Sequence, residues 1–306
     1  MRITVLGSAA GGGFPQWNCN CRNCAGLRAG TLRAKPRTQS SIFIRPDGSA
    51  DGVLFNASPD VLEQIRSRAA LQPARQLRDT AIAAVLLMDG QVDHATGLFM
   101  LRERGSPLPL WCTDPVEDDL THGNPILRVL SHYCGVARQR IPLDGHSFDV
   151  AGVPDLSFRA LPLSSKAAPY SPHRDRPVPG DNIGVLVTDR HSGRTLFYAP
   201  GLGAIDPATF DAMASADLVM VDGTFWTDDE MPRLGVGPKR AREIGHLPQS
   251  GPGGMIEWLG RLPASTRRML IHINNTNPIL DEDSPEREAL AREHIVVCED
   301  GMEIEI

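Results

Sequence analysis

Residues 83–94 read AAVLLMDGQVDH. An apolar run, Ala83 to Met88, passes directly into Asp89-Gly90-Gln91-Val92-Asp93-His94. The run suits a short buried strand, and a polar turn at a strand end is held from a rigid base. Two carboxylates, an amide and an imidazole this close are a candidate set for a metal with oxygen and nitrogen ligands. The same residues also suit a solvated turn, because Asp and Gly are ordinary turn formers.

Outward from this stretch, apolar runs rich in β-branched residues recur along the chain. Strands are expected at residues 3–6, 41–45, 53–56, 83–88, 108–112, 156–163, 183–188, 195–198, 218–221, 268–272 and 295–298. Helices are expected at 59–69, 97–104, 207–215, 238–243, 253–261 and 284–293. Pro59, Pro207 and Pro238 fit first helical turns, and Ser284 can cap the last helix with Glu286 or Glu288 near its positive end. A strand-rich first half followed by alternating strands and helices predicts an α/β sandwich of two packed sheets with helices outside, one domain over residues 1–306. The glycine- and proline-rich loops 7–40, 164–182 and 223–252 are too long for simple connectors and are expected to build the site.

Hydrophobic residues make up 41% of the 306, enough for a sizeable core. The net charge of −6 argues against nucleic-acid phosphate as the main partner. The opening MRITVLGSAAGGG is a strand and a glycine loop, not a cationic segment followed by an apolar signal core. No apolar run approaches the roughly 18 residues of a membrane span, so a cytoplasmic location is expected.

Of six cysteines, Cys112, Cys134 and Cys298 are scattered, while Cys19, Cys21 and Cys24 form Cys-x-Cys-x-x-Cys. Three such thiolates can wrap one tetrahedral zinc, with a fourth ligand from elsewhere in the chain. In a cytosolic protein a metal reading is favoured over a disulfide. A zinc there would tie a long loop to the core and contribute folding energy. An all-thiolate set suits a structural zinc better than a catalytic one.

Other strand ends and loops add candidates. His272 closes an apolar strand and leads into Ile273-Asn274-Asn275-Thr276-Asn277-Pro278, Asp222 follows Leu218 to Val221, and His246 lies in the 244–251 loop. Each is a candidate ligand or acid–base group, and each also reads as a polar residue satisfied by its surroundings. His173, in a proline-rich loop, is expected to be exposed. The Gly7–Gly13 loop lacks the Lys-Ser/Thr ending of a P-loop and the spacing of a dinucleotide fingerprint, and no serine-centred nucleophile elbow is present.

Together these pieces resemble the metallo-β-lactamase superfamily, whose signature after a strand is His-x-His-x-Asp-His. The matching positions here are Asp89, Gln91, Asp93 and His94, so the last two agree and the first two do not. The resemblance implies an αββα sandwich. The glycine loop and Cys-x-Cys-x-x-Cys resemble the phosphodiesterase branch related to tRNase Z. His272 matches the superfamily's last metal-ligand histidine and His246 a loop histidine of that branch, while Asn56 stands where the superfamily often has Asp. A further histidine would fall near Leu163 to Lys166 and a bridging Asp within Tyr198 to Gly203, and neither stretch supplies one. Two-metal hydrolysis is therefore not expected.

Over nearly its whole length the chain resembles the pyrroloquinoline quinone biosynthesis B family. The matching stretches include 7–13 with 17–21, 89–94, 200–203, 221–226, 245–248 and 272–278. That resemblance implies a role in making the quinone cofactor from a Glu–Tyr pair, through oxygen-dependent hydroxylation of the tyrosine ring. Alternatives are a non-catalytic carrier for the cofactor or its precursor, and a mononuclear hydrolase.

For the hydroxylase, Asp93, His94 and His272 would form the two-histidine, one-carboxylate set that holds Fe(II) and leaves positions for dioxygen and substrate. Asp89 and Gln91 would be a further ligand or would orient the first three. Ser164, Ser165, Lys166 and His246 would line the substrate pocket, with Lys166 pairing a carboxylate and His246, beside Asp222, moving protons. Zinc would sit on Cys19, Cys21 and Cys24, with Asn275, a water or His272 as fourth ligand. A homodimer and other proteins of the same pathway are the expected partners.

Overall fold

All of the expected strands form, and the alternation along them assigns each face. The computed structural model describes residues 1–306. Its strands are β1 Arg2–Gly7, β2 Ser41–Arg45, β3 Gly52–Phe55, β4 Ile82–Leu86, β5 Leu108–Cys112, β6 Val136–Arg140, β7 Leu156–Pro162, β8 Ile183–Asp189, β9 Thr195–Ala199, β10 Leu218–Asp222, β11 Arg267–Ile271, β12 Ile295–Val297 and β13 Glu303–Glu305. One sheet runs β13-β1-β2-β3-β4-β5-β6 and the other β12-β11-β10-β9-β8-β7.

Ile42, Ile44, Val53 and Phe55 of the first sheet share a core with Val185, Val187, Leu196, Tyr198, Met220 and Met269 of the second. The residues between them point the other way. Phe43 and Leu54 pack with Val61, Leu98 and Val116 from helical segments outside the first sheet. Leu186, Phe197, Val219 and Leu270 pack with Met213, Leu259 and Leu290 from helices outside the second. Strands apolar on both faces explain the continuous apolar runs, and the four layers are the αββα sandwich.

The helices Pro207–Ala214, Met255–Gly260 and Pro285–Arg292 form as expected, and the Ser284 side chain accepts from the Arg287 N–H. Two expectations need correction. Residues 97–104 give only a 3-10 segment, Thr96–Leu101, and the Gly97 N–H donates to the Ala57 carbonyl instead of into a helix. Residues 238–243 are not a helix. Asp228 takes the Arg242 N–H on its carboxylate and the Ala241 N–H on its carbonyl, which pins a turn, and only Arg242–Ile244 coils. No helix is long and apolar enough to cross a membrane.

β9, β10 and β11 are mutually parallel, as are β3, β4 and β5. Their carboxyl ends carry the candidate site. Asp222 closes β10, His272 follows β11, Asn56 follows β3, and the Asp89–His94 turn follows β4. Sites on parallel sheets form at this edge, where loops meet over a fixed frame.

Candidate metal centre and its pocket

Asn56 shows how the frame is made. It is fully buried at φ 61°, and its side-chain oxygen accepts the Met88 N–H at 3.0 Å. It thereby anchors the residue just before the polar turn. Asp89 comes next, buried, with its two oxygens 2.8 and 2.9 Å from Nδ1 of His94 and one of them accepting the Gln91 N–H. A carboxylate on Nδ1 fixes the imidazole's orientation and leaves Nε2 to face the site, the arrangement found behind metal-bound histidines.

Nε2 of His94 is buried and has no hydrogen-bond partner. Asp93 Oδ2 lies 3.9 Å from it and 3.2 Å from Nε2 of His272. The three ligand atoms lie within 4.8 Å of one another. Burial alone would push the His94 pKa down, but the Asp89 and Asp93 carboxylates outweigh it and hold it at about 9. Burial would likewise raise Asp93, yet His94 and His272 keep it well below the usual carboxylate range. These residues therefore favour positive charge between them, and their donor set fits a divalent cation. His272 adopts φ 61°, a conformation that a non-glycine residue keeps only where its surroundings impose it. The Ile273 N–H donates to Ser8 and its carbonyl accepts from Ala10, which brackets the bend.

A second group, Asp222, His246 and His272, lies alongside. Asp222 is fully buried and 2.6 Å from His246 Nδ1, and it also accepts the Leu202 N–H. Thr224 joins the group: its hydroxyl lies 2.5 Å from Asp222, 3.1 Å from His246 Nδ1 and 2.9 Å from His272 Nδ1. This group engages Nδ1 of both its histidines internally, whereas the first leaves a buried imidazole nitrogen, His94 Nε2, without a partner. Sequence reasoning missed Thr224 as a site residue, since a threonine two residues past a strand carries no signal until β10 and β11 set it between two histidines.

Over these groups lies a cavity of about 280 Å3. All three long loops contribute to it: Ala10 and Gly11 from the first, Ser165 and Lys166 from the second, Phe225 and His246 from the third. Asp89, Gln91, Asp93, His94 and His272 also line it. Asp222 does not; it stands behind His246. Ser164 lies instead in a neighbouring groove with Gly203 and Asp206. His173, expected to be exposed, is half-buried, 3.0 Å from Asp118. A larger concavity of about 600 Å3 near Leu77 and Arg104 contains none of the candidate residues.

The cysteines also converge. Cys24 is in the first turn of the helix Arg22–Ala29, and Cys19 and Cys21 precede it. The Asn275 amide reaches all three sulfurs, at 3.1, 3.7 and 3.3 Å from Cys19, Cys21 and Cys24. Its two amide ends exchange by a simple flip, which would turn the oxygen toward a metal at the same place. Burial pushes the Cys21 thiol up to about 11, with its neighbours adding to the shift. Three adjacent thiols cannot all ionise without a cation, so the donor set fits zinc. His272 groups with Asp93 and His94 and with Asp222 and His246, and not with the three cysteines.

Positions 52–273 match the model of the β-lactamase superfamily domain. The coenzyme PQQ synthesis protein B of Azoarcus sp. (strain BH72) is 66% identical over 302 residues, covering 99% of each chain. The chain belongs to the coenzyme PQQ synthesis protein B family. Within that family, the zinc-bound PqqB of Methylobacterium extorquens has the same fold over 100% of both chains, at 36% identity and a TM-score of 0.91. A diphosphatase of the PhnP family is 18% identical with a TM-score of 0.68, over 100% of this chain and 97% of its own, and shares the fold alone.

The role of Asp89 is open to a direct test. Asp89→Asn keeps an acceptor near His94 but removes the carboxylate, and is expected to weaken divalent-metal binding at this group by about ten- to a hundredfold. Anaerobic Fe(II) titration against a competing chelator measures this, with little change expected in zinc content.

Proposed function

We propose that this chain acts in the synthesis of coenzyme PQQ, as an oxygen-dependent hydroxylase of the tyrosine ring in a Glu–Tyr-derived precursor. The name shared by its relatives supports the pathway. The observation that carries the chemistry is the Asp93–His94–His272 group, one carboxylate and two imidazoles on one side of a cavity, with His94 Nε2 buried and unpartnered. Such a group suits Fe(II) with positions left for other ligands. Iron held there would supply the activation of dioxygen.

The remaining work falls to side chains. Asp89 sets the His94 ring, and Thr224 sets His272 and His246 together. His246, with Nδ1 engaged by Asp222, has Nε2 left to exchange a proton with the substrate phenol. Gly11 keeps space beside Asp93, where a Cβ would lie 3.3 Å from the carboxylate. Zinc on Cys19, Cys21, Cys24 and Asn275 would fix the 272–277 bend that carries His272.

Incubating Fe(II)-reconstituted protein with Glu–Tyr, oxygen and a two-electron reductant such as ascorbate, which takes the second oxygen atom to water, tests the reading. One oxygen atom added to the tyrosine ring, seen by mass spectrometry and absent under argon, is expected. Unchanged dipeptide with the iron site filled would contradict it and favour the carrier role.

A further inference from the structure

The cavity over Asp93, His94 and His272 has a second chemical character. Its lining includes Lys166, Arg174 and Lys239. The chain has three lysines, and two of them stand here. The third, Lys35, pairs with Glu299 at 2.7 Å. Lys166, Arg174 and Lys239 form no ion pair with a carboxylate of the chain. The cavity's own acids are committed, Asp89 to His94 and Asp93 to His272.

Two of these cations are mounted on a fixed frame. The Lys166 carbonyl accepts from Gln91 Nε2 at 3.4 Å and Asn182 Nδ2 at 3.1 Å, which ties its backbone to the metal-site turn. The Arg174 guanidinium donates to the Ala167 carbonyl. Lys239 comes from the separate 223–252 loop, with Ile244 and His246. Unpaired cations scattered over a surface need no explanation. Three that meet in one concavity, in a chain of net charge −6, point to an anionic ligand.

We propose that Lys166, Arg174 and Lys239 form an anion clamp that recognises a substrate through at least two carboxylates and holds its aromatic ring over the metal group. This rests on the cavity being the substrate site of the reaction above. Arg174 offers a planar fork for one carboxylate, and the lysines act as point charges that tolerate small differences in position. Each exposed pair is weak, so selectivity comes from several acting together.

Calorimetric titration under argon, where no turnover occurs, separates the clamp from the chemistry. The probes are Glu–Tyr, with two carboxylates, and Gln–Tyr amide, which keeps the α-amino group but has no carboxylate. Wild-type protein is expected to bind Glu–Tyr at least about tenfold more tightly, with up to about fivefold lost in each of Lys166→Met, Arg174→Met and Lys239→Met. Added salt should weaken the binding, and Lys239→Glu should weaken it more than Lys239→Met. Matching thermal unfolding curves will show that the variants are folded. Charge-dependent binding without later oxidation would keep the clamp and remove the hydroxylase. Glu–Tyr bound no better than the amide, or bound equally by the triple Met variant and wild type, would overturn the clamp.

Discussion

His94→Ala and His272→Ala are each expected to lower Fe(II) affinity by at least about a hundredfold, because losing a group that merely orients a metal ligand already costs ten- to a hundredfold. Hydroxylation should fall with it. The two variants should differ in stability. Asp89 is 4% exposed and has both oxygens against His94 Nδ1, so removing that imidazole strands a buried carboxylate. The cost should be about 3–5 kcal/mol. For a chain of this length that is a fall of about 5–8 °C in Tm. His272→Ala leaves Asp93, whose side chain is 13% exposed, with better access to water, and should cost less. Iron analysis and thermal unfolding of both variants check this, and full iron loading in both would contradict the ligand assignment.

The second large effect is at the cysteines. Replacing Cys19, Cys21 and Cys24 together with Ala should remove one zinc. At a free zinc concentration a thousandfold above its Kd, that withdraws about 4 kcal/mol of folding free energy, a fall of about 6 °C in Tm. The loss should not stay local. Asn275 meets the sulfurs three residues after His272, and its carbonyl accepts from Asn23 at 3.1 Å and from Cys21 at 3.7 Å. Freed at that end, the bend that holds His272 at φ 61° can relax, so iron affinity should also drop. Metal analysis after equal reconstitution of wild type and variant tests this, and loss of zinc with unchanged iron affinity would show that the two centres are independent.

Much of this arrangement was legible in the chain because it is local. Ala83 to His94 shows a strand delivering a cluster of polar side chains to its end, the three cysteines lie within six residues, and Ser284 announces its helix. What was not legible depends on elements meeting. β6 is an edge strand whose alternation is masked by Arg138, Gln139 and Arg140. The helical 92–95 turn is too short to show a period. Asp222 looks exposed to the site when read as a strand end, but parallel pairing of β10 with β9 and β11 buries it behind His246. Ser164 and Ser165 are neighbours in sequence, yet only Ser165 lines the metal cavity. The roles of Thr224 and Gly11 exist only once three loops have closed over the sheet ends.

The central claim is that iron sits on Asp93, His94 and His272 while zinc sits among the cysteines. Anomalous diffraction at the iron and zinc absorption edges, from crystals of protein reconstituted with Fe(II) under argon, tests it most directly. The account predicts an iron peak within bonding distance of Asp93, His94 Nε2 and His272 Nε2, and a zinc peak among the Cys19, Cys21 and Cys24 sulfurs. Iron found only in the cysteine cluster, or zinc alone at the histidines with iron supplied in excess, would contradict it.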